Sequence, residues 1–554
     1  MDLFRRLPAA WLLLPLLLLF FFLALNSMVS DSPTMDEQNH LARGLAFLAT
    51  GDPRFSLEHP PLLNTLSALP VYLLTDVTIP LDDPSWEQRE GWYAFAERLL
   101  WRSGNDVSLI LFLARLPILF VTMGLALVGY HFSRALWPGR RAPAFFAAAC
   151  LLFDPNLLAH GRYTTTDVGG AAFLLLATFL LWQWWQVKGG RWEIPWLLAA
   201  AIALGLAFAS KLSTLTFAPL FLLLAALPLY GEPQRWRGAA RRIAQLAAAG
   251  GGSLLLVWAV YGFQWAAFDF QSSFLQPLNH LRGPMPTYWA GLEQILFLSG
   301  GGRSSYLWGQ FSDTGFSLYF PVAFAVKTPL PLLLLLPASA FILLRQTQTR
   351  GRALFLLLPA FLYFLLSTQS ALNIGYRHLF PILPLLYLLA AGLGSRKRLS
   401  AHLVLAAAAF SILISALLIH PHHLSYFNLA AGGPLKGGQI LIDSNIDWGQ
   451  DLIRLQRWLA AQGVSQVKLS WFGSADPAYY GISYEPLPGV PRHFDLWWNV
   501  PFDRTQPPPG LYAISVSNLG EPPLRTAEKT VFAWFRARQP TARIGYSIYI
   551  YDVR

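Results

Sequence analysis

The chain has 554 residues, 54% of them apolar and only 13% charged, with 41 Lys and Arg against 30 Asp and Glu. Soluble domains average about 45–50% apolar and about 25% charged, so an ordinary soluble enzyme is excluded, and an aromatic share of 14% excludes a disordered or collagen-like chain. The single cysteine, Cys150, rules out an internal disulfide and a Cys-ligated zinc or CxxC redox site, and the net charge of +11 must be located before it is taken as a sign of nucleic-acid binding.

A bilayer core of about 30 Å requires roughly 20 helical residues, and eleven apolar stretches bounded by charge approach that length. The first, at about 9–28, follows Arg5 and Arg6 and has no A-x-A-like site after Leu25, so it reads as an uncleaved span. A polar loop at about 29–106 comes next, with amphipathic stretches at 37–49 and 86–101 suited to interfacial helices. Six spans follow, at about 107–130, 143–159, 169–187, 195–210, 213–230 and 244–265. The junction Ser210-Lys211-Leu212 leaves 195–210 and 213–230 short and is expected to join them as a tight hairpin. An aromatic, Gly-rich loop at 266–320 precedes the last four spans, at about 321–344, 353–370, 378–395 and 401–419. From 420 the pattern changes. Strands are expected at 439–443, 466–471, 511–516 and 544–551, and a helix at 450–461. The fold class is therefore an α-helical polytopic membrane protein, with a membrane domain over 1–419 and a small α/β domain over 420–554. No internal repeat is visible.

Lys and Arg in the short connections set the orientation. With the N-terminus inside, seventeen of them, from Arg5 and Arg6 through Arg140, Lys188 and Arg191 to Arg396, Lys397 and Arg398, lie on the cytoplasmic edge against Asp2, Glu193 and Glu232. The short outer turns hold only Arg162, Lys211 and Arg377, as the positive-inside rule requires. The basic balance is thus mainly a topology signal, nucleic acid is not an expected partner, and the 420–554 region is expected outside the cell membrane.

Ionisable residues gathered at one side of a bilayer are costly without partners and point to a site. Here the outer side carries Asp36, Glu37 and His40 after the first span, then Glu58 and His59, then Arg162 and Asp167 around the third and fourth spans. Lys211, Lys327, Arg377 and His378 follow. Carboxylates beside separate cations suit transfer from an anionic lipid-linked donor to a hydroxyl or amine: an acid takes the acceptor proton, and Lys and Arg hold the leaving phosphate.

The ordered stretches DEQNH, GDPRFSLEHPPLL, HGRYTTTD, SKLS, VKTPL and GYRHLFPILP resemble the GT-C glycosyltransferases of family 39, which include protein O-mannosyltransferases and the aminoarabinose transferase of lipid A. YFNLAAGG followed by DSNIDWGQDL is similar to bacterial phospholipid-carrier-dependent members. The resemblance implies a GT-C fold and an inverting transfer of a sugar from a polyprenyl phosphate to a glycan, lipid or protein acceptor. It makes Asp36 the leading base, with Glu37 beside it and Asp167 the second acid. Lys211, Arg377, His378 and Lys327 become donor-phosphate candidates, and Glu58, His59, His40 and Arg162 positioning candidates. His59 stands where the lipid A enzyme has a Lys. A divalent ion is compatible with the family but not implied by it.

Plainer readings accompany each candidate. Asp167 suits an N-cap of the fourth span, Arg377 and Lys211 suit interfacial anchors, and the cluster of His420, His422 and His423 suits an interface better than a metal site. Asp447 and Asp451 suit acids at a helix start. A transporter or flippase of lipid-linked sugars is the rival function, although such proteins place charges near the midplane and commonly show repeats.

Overall fold

The structure, a computed structural model, describes residues 9–88, 90–139, 141–187, 193–227, 235–395, 398–489, 502–522 and 530–554. Arg5, Arg6, Arg140, Lys188, Arg191, Arg396 and Lys397, which carry part of the orientation argument, lie outside the described residues.

The eleven expected spans are largely helical over the described residues, with 143–159 divided at Asp154 into Ala142–Phe153 and Pro155–His160. Among the described residues six are long and apolar enough to cross a bilayer unbroken: Trp11–Ser30, Val107–Leu136, Asp167–Gln186, Trp236–Val260, Thr347–Thr368 and Leu399–Ile419. The expected span at 321–344 is instead a bent pair, Tyr319–Lys327 and Leu330–Arg345, turned by 108°. Pro329 causes the break: it lacks an amide hydrogen and pushes Thr328 into an extended conformation, with ψ 134°. The rest are shorter helices, including Ala142–Phe153, Glu193–Phe208 and Leu383–Ser395. Phe132, Leu151, Trp182, Phe355 and Leu385 pack between them, while Phe22, Leu255, Phe410 and Leu418 face outward from the bundle. Large apolar side chains left exposed along long apolar helices are what a lipid-facing surface requires. The protein is a multi-pass integral membrane protein.

Beyond the first span the chain folds into helices Glu37–Thr50, Pro61–Leu74 and Trp92–Glu97, continued by a wider turn Arg98–Arg102. The second was not expected from the sequence. Gly44 permits its packing on the first, because a Cβ there would stand 2.1 Å from the Asn64 carbonyl oxygen. Two small antiparallel ribbons decorate the 266–320 loop, β1 (Trp265–Ala267) with β2 (Arg282–Pro284) and β3 (Ser305–Leu307) with β4 (Gln310–Ser312).

The C-terminal region forms a five-stranded mixed sheet of β5 (Val467–Ser470), β6 (Tyr484–Pro486), β7 (Gly510–Ser515), β8 (Ala542–Ile544) and β9 (Ile548–Val553), in the order β6-β5-β7-β9-β8. β5 runs parallel to both of its neighbours, and β9 runs antiparallel to β7 and β8. The helix Leu452–Ala461 falls where expected. Two expectations are corrected. The strand at 544–551 is two strands, divided by Gly545 and Tyr546 at φ 59° and 67°. The segment 439–443 is not a strand but leads into a short helical turn, Asp443–Asn445, because Asp443 adopts φ 59°. The sheet does not stand apart: Leu455, Trp471 and Ile550 share one apolar core with Leu41, Leu45, Phe95 and Leu99 of the segment that follows the first span.

Candidate active site

Between one set of span ends and the C-terminal segment lies a cavity of about 790 Å³. Asp36 immediately precedes the first turn of helix Glu37–Thr50, and its carboxylate makes no capping bond there. It accepts a hydrogen bond from Arg377 Nη1 at 3.0 Å. Asp167 opens the span Asp167–Gln186, and its two oxygens face Lys211 Nζ and Arg377 Nη1, the latter at 3.4 Å. An ionic chain therefore runs Asp36, Arg377, Asp167, Lys211. Asp167 does not cap its helix, and Lys211 and Arg377 are not free interfacial anchors, for both point inward to carboxylates.

Arg377 is the hub. The turn Tyr376–Leu379 that carries it is fixed by the Tyr376 amide donating to Asn445 Oδ1 at 2.9 Å, and its guanidinium lies over the Trp448 ring at 4.2 Å. Among the described residues its Nε has no hydrogen-bond partner although it is buried, and the same holds for His378 Nε2. Both residues line the cavity. A buried donor left unsatisfied is costly, so these two are suited to an anion that arrives with the substrate.

His40, Glu58 and His59 also line the cavity. His40 Nδ1 lies 2.8 Å from Asn64 Oδ1, His59 Nδ1 lies 3.2 Å from Thr166 Oγ1, and the two rings meet edge to face at 4.6 Å. Burial and Arg43 push His40 down to about 4, and burial, His40 and Arg43 push His59 well below the usual imidazole range. His59 is therefore neutral at physiological pH and does not replace the positive charge of a lysine. The nearby cation is Arg43, paired with Glu58 at 3.0 Å.

Three sequence candidates lie elsewhere. Glu37 is held by Arg115 Nε and Nη2 at 2.8 and 2.7 Å and by the amides of Thr34 and Thr164 at 2.9 Å each, so both oxygens are occupied in a buried clamp away from the cavity. Arg162 is spent on Asp31, at 3.0 and 2.7 Å. Arg162, Arg454 and Arg115 outweigh burial and hold Asp31 far below the ordinary carboxylate range. Lys327 Nζ donates to the carbonyls of Leu424 and Asn445 at 2.9 and 2.6 Å and does not reach the cavity. Among the described residues no group of three or more His, Cys, Asp and Glu is arranged to hold a metal ion. His420 and His423 instead gather around Ser27 Oγ.

Sequence reasoning missed Arg43, Tyr93, Arg303, Asp443 and Trp448, all of which line the cavity. Asp443 and Trp448 lie within the DSNIDWGQDL stretch, which was the available signal.

Residues 52–273 match the family described as dolichyl-phosphate-mannose-protein mannosyltransferase, a stretch that contains His59, Asp167 and Lys211. The match covers the stretch from the first polar loop through the helix Trp236–Val260. No curated protein matches it in sequence. Among solved structures, the chain is similar to ArnT from Cupriavidus metallidurans bound to undecaprenyl phosphate, at 14% identity and TM-score 0.49 over 98% of each chain. It is also similar to the Archaeoglobus fulgidus oligosaccharyltransferase tethered with an acceptor peptide, at 13% identity and TM-score 0.43 over 75% of this chain and 55% of that one.

Proposed function

We propose that the protein is an inverting glycosyltransferase that moves a sugar from a polyprenyl-phosphate carrier to a hydroxyl or amine acceptor at the outer face of the membrane. The observation that carries this reading is the pair of buried nitrogens without a partner among the described residues, Arg377 Nε and His378 Nε2, in a cavity where Arg377 also touches the carboxylate of Asp36. One residue thus joins a place for the phosphate to a place for the base.

In the reaction the acceptor heteroatom attacks the sugar carbon from the face opposite the phosphate, and Asp36 takes the acceptor proton. The new bond to the acceptor forms as the bond from that carbon to the phosphate oxygen breaks. The carrier leaves as a phosphate monoester whose added charge falls on Arg377, Lys211 and the His378 N–H. Asp167 keeps Lys211 and Arg377 side by side. Leu296, Leu298, Leu366 and Leu372 on the cavity wall provide an apolar side for the prenyl chain. The N-terminus is cytoplasmic in this reading. The division near residue 420 separates a membrane unit from an outer cover that closes the cavity.

The test uses the full chain in liposomes with radiolabelled undecaprenyl-phosphate sugars and acceptor panels of lipid A, octyl glycosides and Ser/Thr peptides. Sugar transfer by the wild type, lost in Asp36→Asn, is the expected result. Movement of intact lipid-linked sugar between leaflets without transfer overturns the reading in favour of a flippase.

A further inference from the structure

Asp36, Glu58, Asp167 and Asp443 are the acids that line the cavity, and the first three face cations. Asp443 makes no ion pair among the described residues. It is brought to the wall by the C-terminal segment on the turn Asp443–Asn445, at a φ of 59° that a non-glycine residue holds only where its surroundings impose it. The surroundings do so here. The Asp443 amide donates to Ser517 Oγ at 3.0 Å, Ser444 Oγ donates to the Ile374 carbonyl at 2.6 Å, and the Asn445 side chain bridges Tyr319 and Tyr376. One carboxylate oxygen accepts from the Ser444 amide, and the other accepts no hydrogen bond among the described residues.

The charges of the ionic chain balance without Asp443: Asp36 and Asp167 against Arg377 and Lys211. Asp443 adds a further negative charge to the wall where the phosphate of the carrier would lie, with Arg303 on the same wall but, among the described residues, no ion pair between them. It matters because the carrier changes charge during transfer. Bearing a sugar it is a phosphodiester with one negative charge, and after the sugar departs it is a monoester whose second ionisation lies near about pH 6, hence a dianion above it.

We propose that Asp443 discriminates between these two states of the carrier, repelling the spent monoester more than the sugar-bearing diester, so that product leaves and fresh donor takes its place. The inference rests on the sugar-transfer reading above. No new covalent step is involved.

A second observation adds a pH dependence. Burial pushes Asp443 up to about 6, against the pull of Arg377. The charged or titratable groups that face it are Arg377, Asp36 and Arg303, with the Tyr319 hydroxyl beyond Asn445. Below about pH 6 Asp443 takes a proton and the repulsion is lost; above it the repulsion is present. The monoester loses charge in the same range, so the variant rather than the pH profile alone isolates the part played by Asp443.

The experiment measures the affinity of farnesyl phosphate and of its methyl diester for the full chain in lipid nanodiscs at pH 7.5 and 5.0. It compares wild type, Asp443→Asn and Asp443→Gly. Asn and Gly are the residues that best tolerate positive φ, so both keep the turn. At pH 7.5 the substitutions tighten the diester by about threefold and the monoester by roughly tenfold, because doubling the ligand charge doubles the repulsion and squares the ratio. At pH 5.0 both ratios fall toward one. Equal effects on the two ligands at pH 7.5, or none, overturn the proposal while leaving the carrier site standing. If neither ligand binds saturably, or if Arg377→Gln binds both as well as wild type, the carrier reading itself fails and this inference falls with it.

Discussion

The guanidinium of Arg377 rests on the indole of Trp448, 4.2 Å from its ring centroid, so a residue at a span end is seated on an aromatic plane supplied by the C-terminal segment. Trp448 is 1% exposed and is itself wedged by the rings of His160 and Tyr163 at 5.3 and 6.2 Å. A cation held over a desolvated indole gains about 2 kcal/mol. Trp448→Leu is expected to weaken undecaprenyl-phosphate binding by about 5- to 30-fold, and Trp448→Phe by less, in equilibrium binding to purified protein.

Removing the acid on the other side of Arg377 has the opposite effect on binding. Asp36→Asn frees Arg377 Nη1 from a carboxylate, so carrier affinity holds or rises, while transfer falls by about 10²- to 10⁴-fold through loss of the base. Initial rates and dissociation constants measured on the same preparation check both halves. A variant that binds less and transfers at the wild-type rate would sink the assignment of Asp36.

Glu37, next in sequence, behaves differently. It forms a buried pair with Arg115, their side chains 0% and 2% exposed. Breaking such a pair on one side costs about 3–5 kcal/mol. Glu37→Gln and Arg115→Lys are therefore expected to lower the melting temperature in detergent by several degrees, while activity per folded molecule stays within a few fold of wild type. Asp36→Asn gives the reverse pattern.

His40 confers acid sensitivity. Folding keeps its ring neutral down to about 4, whereas the unfolded chain has an ordinary imidazole near 6.5. The unfolded state therefore binds the extra proton between these values. The contribution of His40 is fully present above about pH 6.5 and is lost as pH falls toward about 4, at most ~3 kcal/mol. His40→Asn is expected to flatten the pH dependence of the melting temperature across that window. His59, shifted in the same direction, leaves a residual slope.

The spans were legible because a bilayer demands a length and a composition that sequence displays directly, and the eleven stretches are largely helical over the described residues. The acids and cations at the span ends were legible in part: Asp36, Asp167, Lys211 and Arg377, all singled out in the sequence, meet in one ionic chain across a separation of more than 300 residues. Glu37 and Lys327 show why adjacency to a site residue is a poor guide. One position along a helix start turns the side chain from the cavity to Arg115, and Lys327 finds two backbone carbonyls before it finds a ligand. Asp443 was hidden for another reason. Its neighbours Gln439 to Ile442 look like a strand, and only the left-handed turn, enforced by Ser517 and Ile374 from distant segments, aims it at the cavity.

The common core of Leu41, Leu45, Phe95, Leu455, Trp471 and Ile550 has a consequence for biogenesis. The ribosome releases Asp36 early and Asp443, Trp448 and β9 late, yet the helix that follows Asp36 needs the sheet to cover its apolar face. While the later spans are still being inserted, that face is bare. The cavity becomes complete only when the last strand has docked, so its walls are not assembled in a nascent chain before insertion is finished.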